Sequence, residues 1–152
     1  MAHPIFEGNT GRTVILDHKV TAITGALLEE TEVYKDLRKI YEVIRFIDGI
    51  PLFVEDHLAR LQASSSDDQV LDDKETEKLR KDINALILSE GLVNGNIKIV
   101  ASKGSTFVFP SAYRYPTEEV YLKGVSTGVI LWERSDPNVK MVIGLYRKAV
   151  SD

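Results

Sequence analysis

Apolar and polar residues follow the period of a β-strand in several short segments of this chain. Residues 40–47 are rich in β-branched and aromatic side chains and carry apolar residues on both faces, which predicts a strand in the interior of a sheet. Asp48-Gly49 follows, and this dipeptide favours a hairpin turn because the turn needs positive φ at both central positions. Residues 50–53 are predicted to return as a second strand, with Pro51 favouring an edge or a strand end.

Two other stretches repeat their apolar residues with the period of a helix. Residues 54–63 form the first. The second begins near Asp72, a capping residue with Glu75 three positions further on, and is predicted to stop at Gly91. The apolar stripe of this second helix consists of Leu79, Ile83, Leu86 and Ile87.

The remaining patterns complete the prediction of an α+β fold. Strand patterns occupy residues 12–16, 96–102, 106–109 and 125–132. Residues 21–28 fit a strand and a helix equally, a short turn ends at Gly124, and Asp136 with Pro137 are good first residues for a last helix. We expect a mostly antiparallel sheet with two helices on one face.

Composition narrows the classes of function. A chain of 152 residues has the length of one domain, and a net charge of −4 with a pI near 5.4 offers no basic field for nucleic acid or an anionic membrane. The lack of cysteine excludes disulfides and thiol catalysis and fits a reducing cytoplasm. No apolar run approaches the roughly 20 residues of a membrane helix. The three histidines, at 3, 18 and 57, lack metal-ligand spacing, so no metal site is predicted.

Arg60 is the first candidate for chemistry. In a helix it shares one polar stripe with His57 and Ser64, beside an apolar stripe. A guanidinium group held on a helix suits bidentate binding of phosphate. The common alternative for such a residue is a surface arginine that lies along its own helix.

The order of motifs around Arg60 resembles a known family. IYEVIR at residues 40–45, then DG, EDHLARL and AS, match without a gap the class IV (fold-type IV) aminotransferases, which depend on pyridoxal phosphate. The family includes branched-chain and D-amino-acid aminotransferases and aminodeoxychorismate lyase. The resemblance implies that Arg60 binds the cofactor phosphate and that Tyr41 lines the active site on the substrate side.

A second segment extends this resemblance. ERSDPNVK, at residues 133–140, is similar to the segment that carries the family's catalytic lysine, which implies that Lys140 bonds to pyridoxal phosphate. That lysine would also act as the general base and acid in proton transfer. The implied reaction transfers an amino group from an amino acid, with branched-chain ones among the candidates, to a 2-oxo acid. The family also implies a homodimer.

The chain departs from the family pattern in several places, two of which bear on the substrate and on the domains. After the turn at Lys103-Gly104 it lacks the Arg and His that D-amino-acid enzymes carry, and only twelve residues follow Lys140, where the family continues into a large domain. We therefore expect residues 1–133 to form the small N-terminal domain and residues 134–152 to begin a second domain that is absent from this chain. The alternatives are a catalytically incompetent module and an enzyme like aminodeoxychorismate lyase.

Overall fold

A computed structural model describes residues 3–66, 71–113, 115–129, 131, 137 and 139–140 as an α+β fold. The strands are β1 (Thr13–Leu16), β2 (Lys19–Ala22), β3 (Ile40–Ile47), β4 (Ile50–Pro51), β5 (Gly95–Ser102) and β6 (Ser105–Ser111). The helices are α1 (Gly25–Thr31), α2 (Val54–Ala63), α3 (Asp73–Ser89) and α4 (Glu118–Lys123), with a 3₁₀ helix at Glu32–Tyr34. The six strands pair antiparallel in the order β2-β1-β6-β5-β3-β4, which confirms the predicted fold class.

Helices α2 and α3 pack on one face of the sheet, as predicted. Alternate residues of β3 and β5 point toward them, and Leu58 and Leu61 of α2 are buried against this face. The stripe of α3 is buried as expected, and the Asp72 carboxylate accepts a hydrogen bond of 2.7 Å from the backbone N–H of Glu75. The predicted bounds of β3 and α2 are confirmed at both ends.

The opposite face has a cover that was not predicted. Ile5 and Phe6 of the N-terminal segment, together with Leu27 of α1, pack against Phe107 and Phe109 of β6. The Phe6 ring meets both of these rings edge-on, at centroid distances of 6.0 and 5.5 Å. The sheet is therefore buried on both sides, which explains why its strands carry apolar residues on both faces.

The prediction that β3 lies in the interior of the sheet is confirmed, because β5 and β4 flank it, but β4 covers only part of its outer edge. β3 is the second strand from the edge, and β4 pairs only with its last two residues, Phe46 and Ile47. The edge prediction for Pro51 is confirmed, but β4 ends there instead of reaching residue 53. Phe53 adopts a left-handed conformation with φ of +52° and caps α2. The early end of β4 leaves most of the outer edge of β3 open to another segment.

Other parts of the prediction need correction. Residues 125–129 form no strand in the described part of the chain, although 125–132 was predicted as one. Residues 21–28 divide between β2 and α1, and β2 was missed because its hairpin turn uses Asp17 and His18, both at positive φ, in place of glycine. Pro137, Val139 and Lys140 are not helical, and the rest of the predicted last helix lies outside the described residues.

Candidate functional site

A buried carboxylate lies at the centre of the candidate site. Glu42 occupies the same face of β3 as Ile40, Ile44 and Phe46, and its side chain is 0 % exposed. A carboxylate removed from water in this way is stable only when several donors satisfy it.

Helix α2 supplies two of these donors because it crosses the face of β3 that carries Glu42. The Arg60 guanidinium forms a two-pronged contact, with Nε 2.5 Å from Oε1 and Nη2 2.6 Å from Oε2 of Glu42. His57, one turn earlier, places its Nδ1 2.8 Å from Oε2. Because a carboxylate only accepts hydrogen bonds, we assign the His57 proton to Nδ1.

Lys140 supplies the third donor from the far end of the described chain. Its Nζ lies 3.2 Å from Oε2 of Glu42. Its backbone follows the open edge of β3, where the N–H of Tyr41 donates to the Lys140 carbonyl at 3.1 Å. On the other side, the Lys140 N–H donates to the hydroxyl of Ser64 at 3.4 Å. These contacts place Lys140 between the strand edge and the end of α2.

Tyr41 lies next to Lys140 but belongs to the other face of β3. The Lys140 Nζ is 5.2 Å from the centroid of the Tyr41 ring, a distance at which an ammonium is attracted to an aromatic face. The buried Lys98 ammonium is 5.8 Å from the same ring. Lys140 can contact both Glu42 and Tyr41 because it lies at the strand edge.

The electrostatics of this cluster favour the ionised carboxylate. Burial acts to raise the pKa of Glu42, but the hydrogen bonds from Arg60 and His57 and the charge of Lys140 outweigh it, so the pKa lies below its ordinary value. The hydrogen bond to Glu42 raises the pKa of Arg60. One carboxylate faces two cations, so the cluster of Glu42, Arg60 and Lys140 keeps a net positive charge.

The structure brings together the three residues that the sequence singled out. Arg60 and Lys140 contact the same oxygen, and Tyr41 lies beside Lys140. Glu42, which binds them, was not predicted as a site residue. Its signal was present in the alternation of β3, where one acid stands among apolar residues at positions 40, 44 and 46. The roles of Arg60, Lys140 and Tyr41 in binding and catalysis remain predictions.

A cavity of about 380 Å³ lies at the other end of β3. It is lined by Phe46, Asn94, Asn96 and Ser111, among others, and by none of the residues in the Glu42 cluster. Of the residues that line it, none is charged, in contrast to the Glu42 cluster.

Comparison with known proteins identifies the family. The sequence matches the family described as amino-transferase class IV over residues 39–142, a range that contains the whole Glu42 cluster. The chain therefore belongs to the class IV aminotransferase family. No curated protein matches the chain.

A solved structure shares the fold. It is a protein from Legionella pneumophila subsp. pneumophila str. Philadelphia 1, assigned as a 4-amino-4-deoxychorismate lyase, with a TM-score of 0.52 and 18 % sequence identity. The match covers 76 % of this chain and 49 % of that one, so this chain spans about half of the length of its structural neighbour. Among the described residues, no helix is long and apolar enough to cross a membrane.

Proposed function

We propose that this chain is the cofactor-binding small portion of a pyridoxal-phosphate-dependent aminotransferase, which transfers an amino group from an amino acid to a 2-oxo acid. The observation that supports this proposal is the convergence of Arg60 and Lys140 on one oxygen of Glu42. A phosphate-bearing aldehyde needs a cation and an amine held close together, and this cluster offers both.

The residues of the cluster fit such a cofactor. Side-chain exposure is 47 % for Arg60 and 30 % for Lys140, so both can be reached from solvent, whereas Glu42 cannot. Arg60 Nη2 and Lys140 Nζ both donate to Oε2 of Glu42, so the distance between these nitrogens is no more than the sum of the two hydrogen-bond lengths, 2.6 and 3.2 Å. Arg60 would hold the phosphate, Lys140 would hold the aldehyde end, and the net positive charge favours the anion.

The chemistry of the chain's own residues follows from these positions. When bound, pyridoxal phosphate supplies a reactive carbonyl carbon and an electron-withdrawing ring. Lys140 must first release its proton and its contact with Glu42, because only a neutral amine is a nucleophile. Once the substrate amine has displaced it from that carbon, the freed Lys140 amine would take the proton from the substrate Cα and deliver it to the former carbonyl carbon. Tyr41 would form a wall beside this amine and restrict the orientation of the substrate.

Reductive trapping tests the assignment of Lys140. The folded chain is incubated with pyridoxal phosphate, reduced with borohydride and analysed by peptide mass mapping. We expect the pyridoxyl group on the peptide that contains Lys140, and its loss from that peptide in Lys140→Arg. The exposed Lys123, at 74 %, is the matched control. An adduct spread over surface lysines, with no preference for Lys140, would contradict the proposal.

The phosphate assignment has a matched pair of variants. Arg60→Gln should weaken the binding of pyridoxal phosphate at least several-fold, measured by titration of the absorbance spectrum. Arg80→Gln removes another helical arginine, one that forms a two-pronged contact with Glu77 on the surface of α3. Equal affinities in these two variants would show that Arg60 does not bind the phosphate.

A second candidate is a related module without activity of its own. The match covers 49 % of the structural neighbour, so a complete site of that kind can include residues beyond positions 1–152. Trapping on Lys140 without amino-group transfer to 2-oxo acids would support this candidate. Assays with branched-chain amino acids and with 4-amino-4-deoxychorismate separate aminotransferase from lyase chemistry, and light scattering tests the proposed homodimer. The cytoplasmic location remains a prediction.

A further inference from the structure

The Glu42 carboxylate joins two groups that the proposed function uses separately. Its Oε2 atom accepts from His57, Arg60 and Lys140, and its Oε1 atom accepts from Arg60. Arg60 and Lys140 therefore share one anion in the cofactor-free chain.

We propose that Glu42 is a positioning residue that holds Arg60 and Lys140 as a pair and keeps the Lys140 side chain engaged in an ion pair, and so withheld from reaction, until a cofactor enters. This inference rests on the proposed function, but the experiment that tests it does not depend on that function. The side chain of Glu42 is 0 % exposed, so it has no access to water, and its oxygens depend on hydrogen bonds from His57, Arg60 and Lys140.

The groups around the Lys140 amine support this role. Among the described residues, Glu42 lies within ion-pair distance of the Lys140 amine, and the face of the Tyr41 ring lies 5.2 Å from that amine. Ser64 and the backbone of Tyr41 fix the main chain of Lys140, so the amine stays near the carboxylate. Both contacts hold the end of the Lys140 side chain beside β3.

The exposure of Arg60 explains how a ligand can separate it from Lys140. Its guanidinium has two nitrogens on Glu42, and its side chain is 47 % exposed. A phosphate can therefore approach Arg60 from solvent while the buried carboxylate remains in place. Glu42 then acts on the amine through position and charge, and it need not contact the cofactor.

Acetylation of lysines, without any cofactor, tests the proposal. The chain is treated with a limiting amount of acetic anhydride at pH 8, and the rate at each lysine is read by peptide mass mapping. In Glu42→Gln, we expect Lys140 to react at least about threefold faster, because the neutral amide no longer engages its side chain in an ion pair. Glu42→Asp retains the charge and should restore most of the protection.

Two lysines and one variant separate this role from a loss of structure. Lys39 is 7 % exposed and donates to three backbone carbonyls next to β3, so its acetylation reports loosening of this region. Lys123 is exposed and should react equally in every variant. Asp82→Asn removes a buried carboxylate elsewhere, one that contacts His18, and should leave Lys140 unchanged.

The outcomes are distinct. Faster reaction of Lys140 alone in Glu42→Gln, with protection in Glu42→Asp, supports the proposal. An unchanged rate at Lys140, or a parallel increase at Lys39, overturns it, because Glu42 would then be only a structural residue. If Glu42→Gln does not fold, Glu42→Asp decides, since Lys140 must stay slower there than in the unfolded chain while Lys39 stays protected. Because no pyridoxal phosphate is used, the result is independent of whether the chain binds that cofactor.

Discussion

Two charge clusters attach helices to the sheet, and they are built in opposite ways. In the Glu42 cluster, one carboxylate of β3 receives three basic side chains, two of them from α2. In the second, which we call the His18 clasp, one histidine in the β1–β2 turn lies between two carboxylates of α3. Its Nδ1 is 2.7 Å from Asp82, and its Nε2 is 2.7 Å from Glu75.

The difference in charge balance separates a candidate site from a structural contact. Both ring nitrogens of His18 face atoms that only accept, so the ring is charged, and Lys78 neutralises the second carboxylate through a contact of 3.1 Å with Glu75. Together with Lys78, the His18 clasp therefore carries no net charge. The Glu42 cluster keeps a net positive charge on partly exposed nitrogens, which an anionic ligand can use.

Loss of Arg60 should produce the largest change in stability. Arg60→Leu leaves the Glu42 carboxylate buried with fewer partners, and we expect a loss of about 2 kcal/mol, below the range for fully buried pairs because Arg60 is partly exposed. Arg80→Leu, which removes the exposed pair with Glu77, should change stability little. Urea unfolding measures both. Equal losses would mean that the burial of Glu42 has no energetic consequence.

The acid limb of the stability profile should depend on Glu42. Its pKa is lowered in the folded chain, so its contribution is complete above the ordinary value of 4.5 and is lost as the pH falls through the folded value. Glu42→Gln should lower stability by about 1.5 kcal/mol at pH 7. The difference in Tm from the wild type should shrink below pH 4.5. A difference that stays constant down to pH 3 would contradict this assignment.

The loss of stability at alkaline pH should depend on the His18 clasp instead of Glu42. Burial acts to lower the pKa of His18, but the hydrogen bonds with Asp82 and Glu75 outweigh it and leave the pKa raised above 6.5. Its contribution is therefore complete below pH 6.5 and is lost as the pH rises through the folded value. His18→Gln should cost about 1 kcal/mol at pH 5.5 and less at pH 9. A loss that grows with pH would reverse the charge assignment of the clasp.

The contrast between these clusters also explains what could be predicted from the sequence. β3 and α2 were predicted to the residue because local patterns determine them, namely alternation, the Asp48-Gly49 turn and the helical stripe. The His18 clasp could not be predicted, because His18 is separated from Asp82 by 64 positions and from Glu75 by 57, and because its turn lacks glycine. Long-range contacts of this kind depend on how the layers pack.

The candidate site was predictable only in part for the same reason. Arg60 could be singled out by its position on a helix, and Lys140 by family resemblance alone. The meeting of both residues on Glu42 could not be predicted without the strand order, because β4 is short and leaves the edge of β3 open to Lys140. The predicted second strand, residues 50–53, would have covered more of that edge than the two residues of β4 do.

The smallest effect we predict concerns the hydroxyl that holds the Lys140 backbone. Ser64 is 0 % exposed, and its Oγ donates to the Arg60 carbonyl at 2.9 Å and accepts from the Lys140 N–H at 3.4 Å. Ser64→Ala should therefore cost about 0.5 kcal/mol and speed amide hydrogen exchange at Lys140. The neighbouring Ser65 is the matched control, because its buried hydroxyl has no hydrogen-bond partner among the described residues. Ser65→Ala should leave exchange at Lys140 unchanged and should not destabilise the chain, since it removes an unsatisfied polar group. If the two variants are equal in both measurements, Ser64 does not fix the segment that carries Lys140, and the two sides of the candidate site are joined by Glu42 and the strand edge alone.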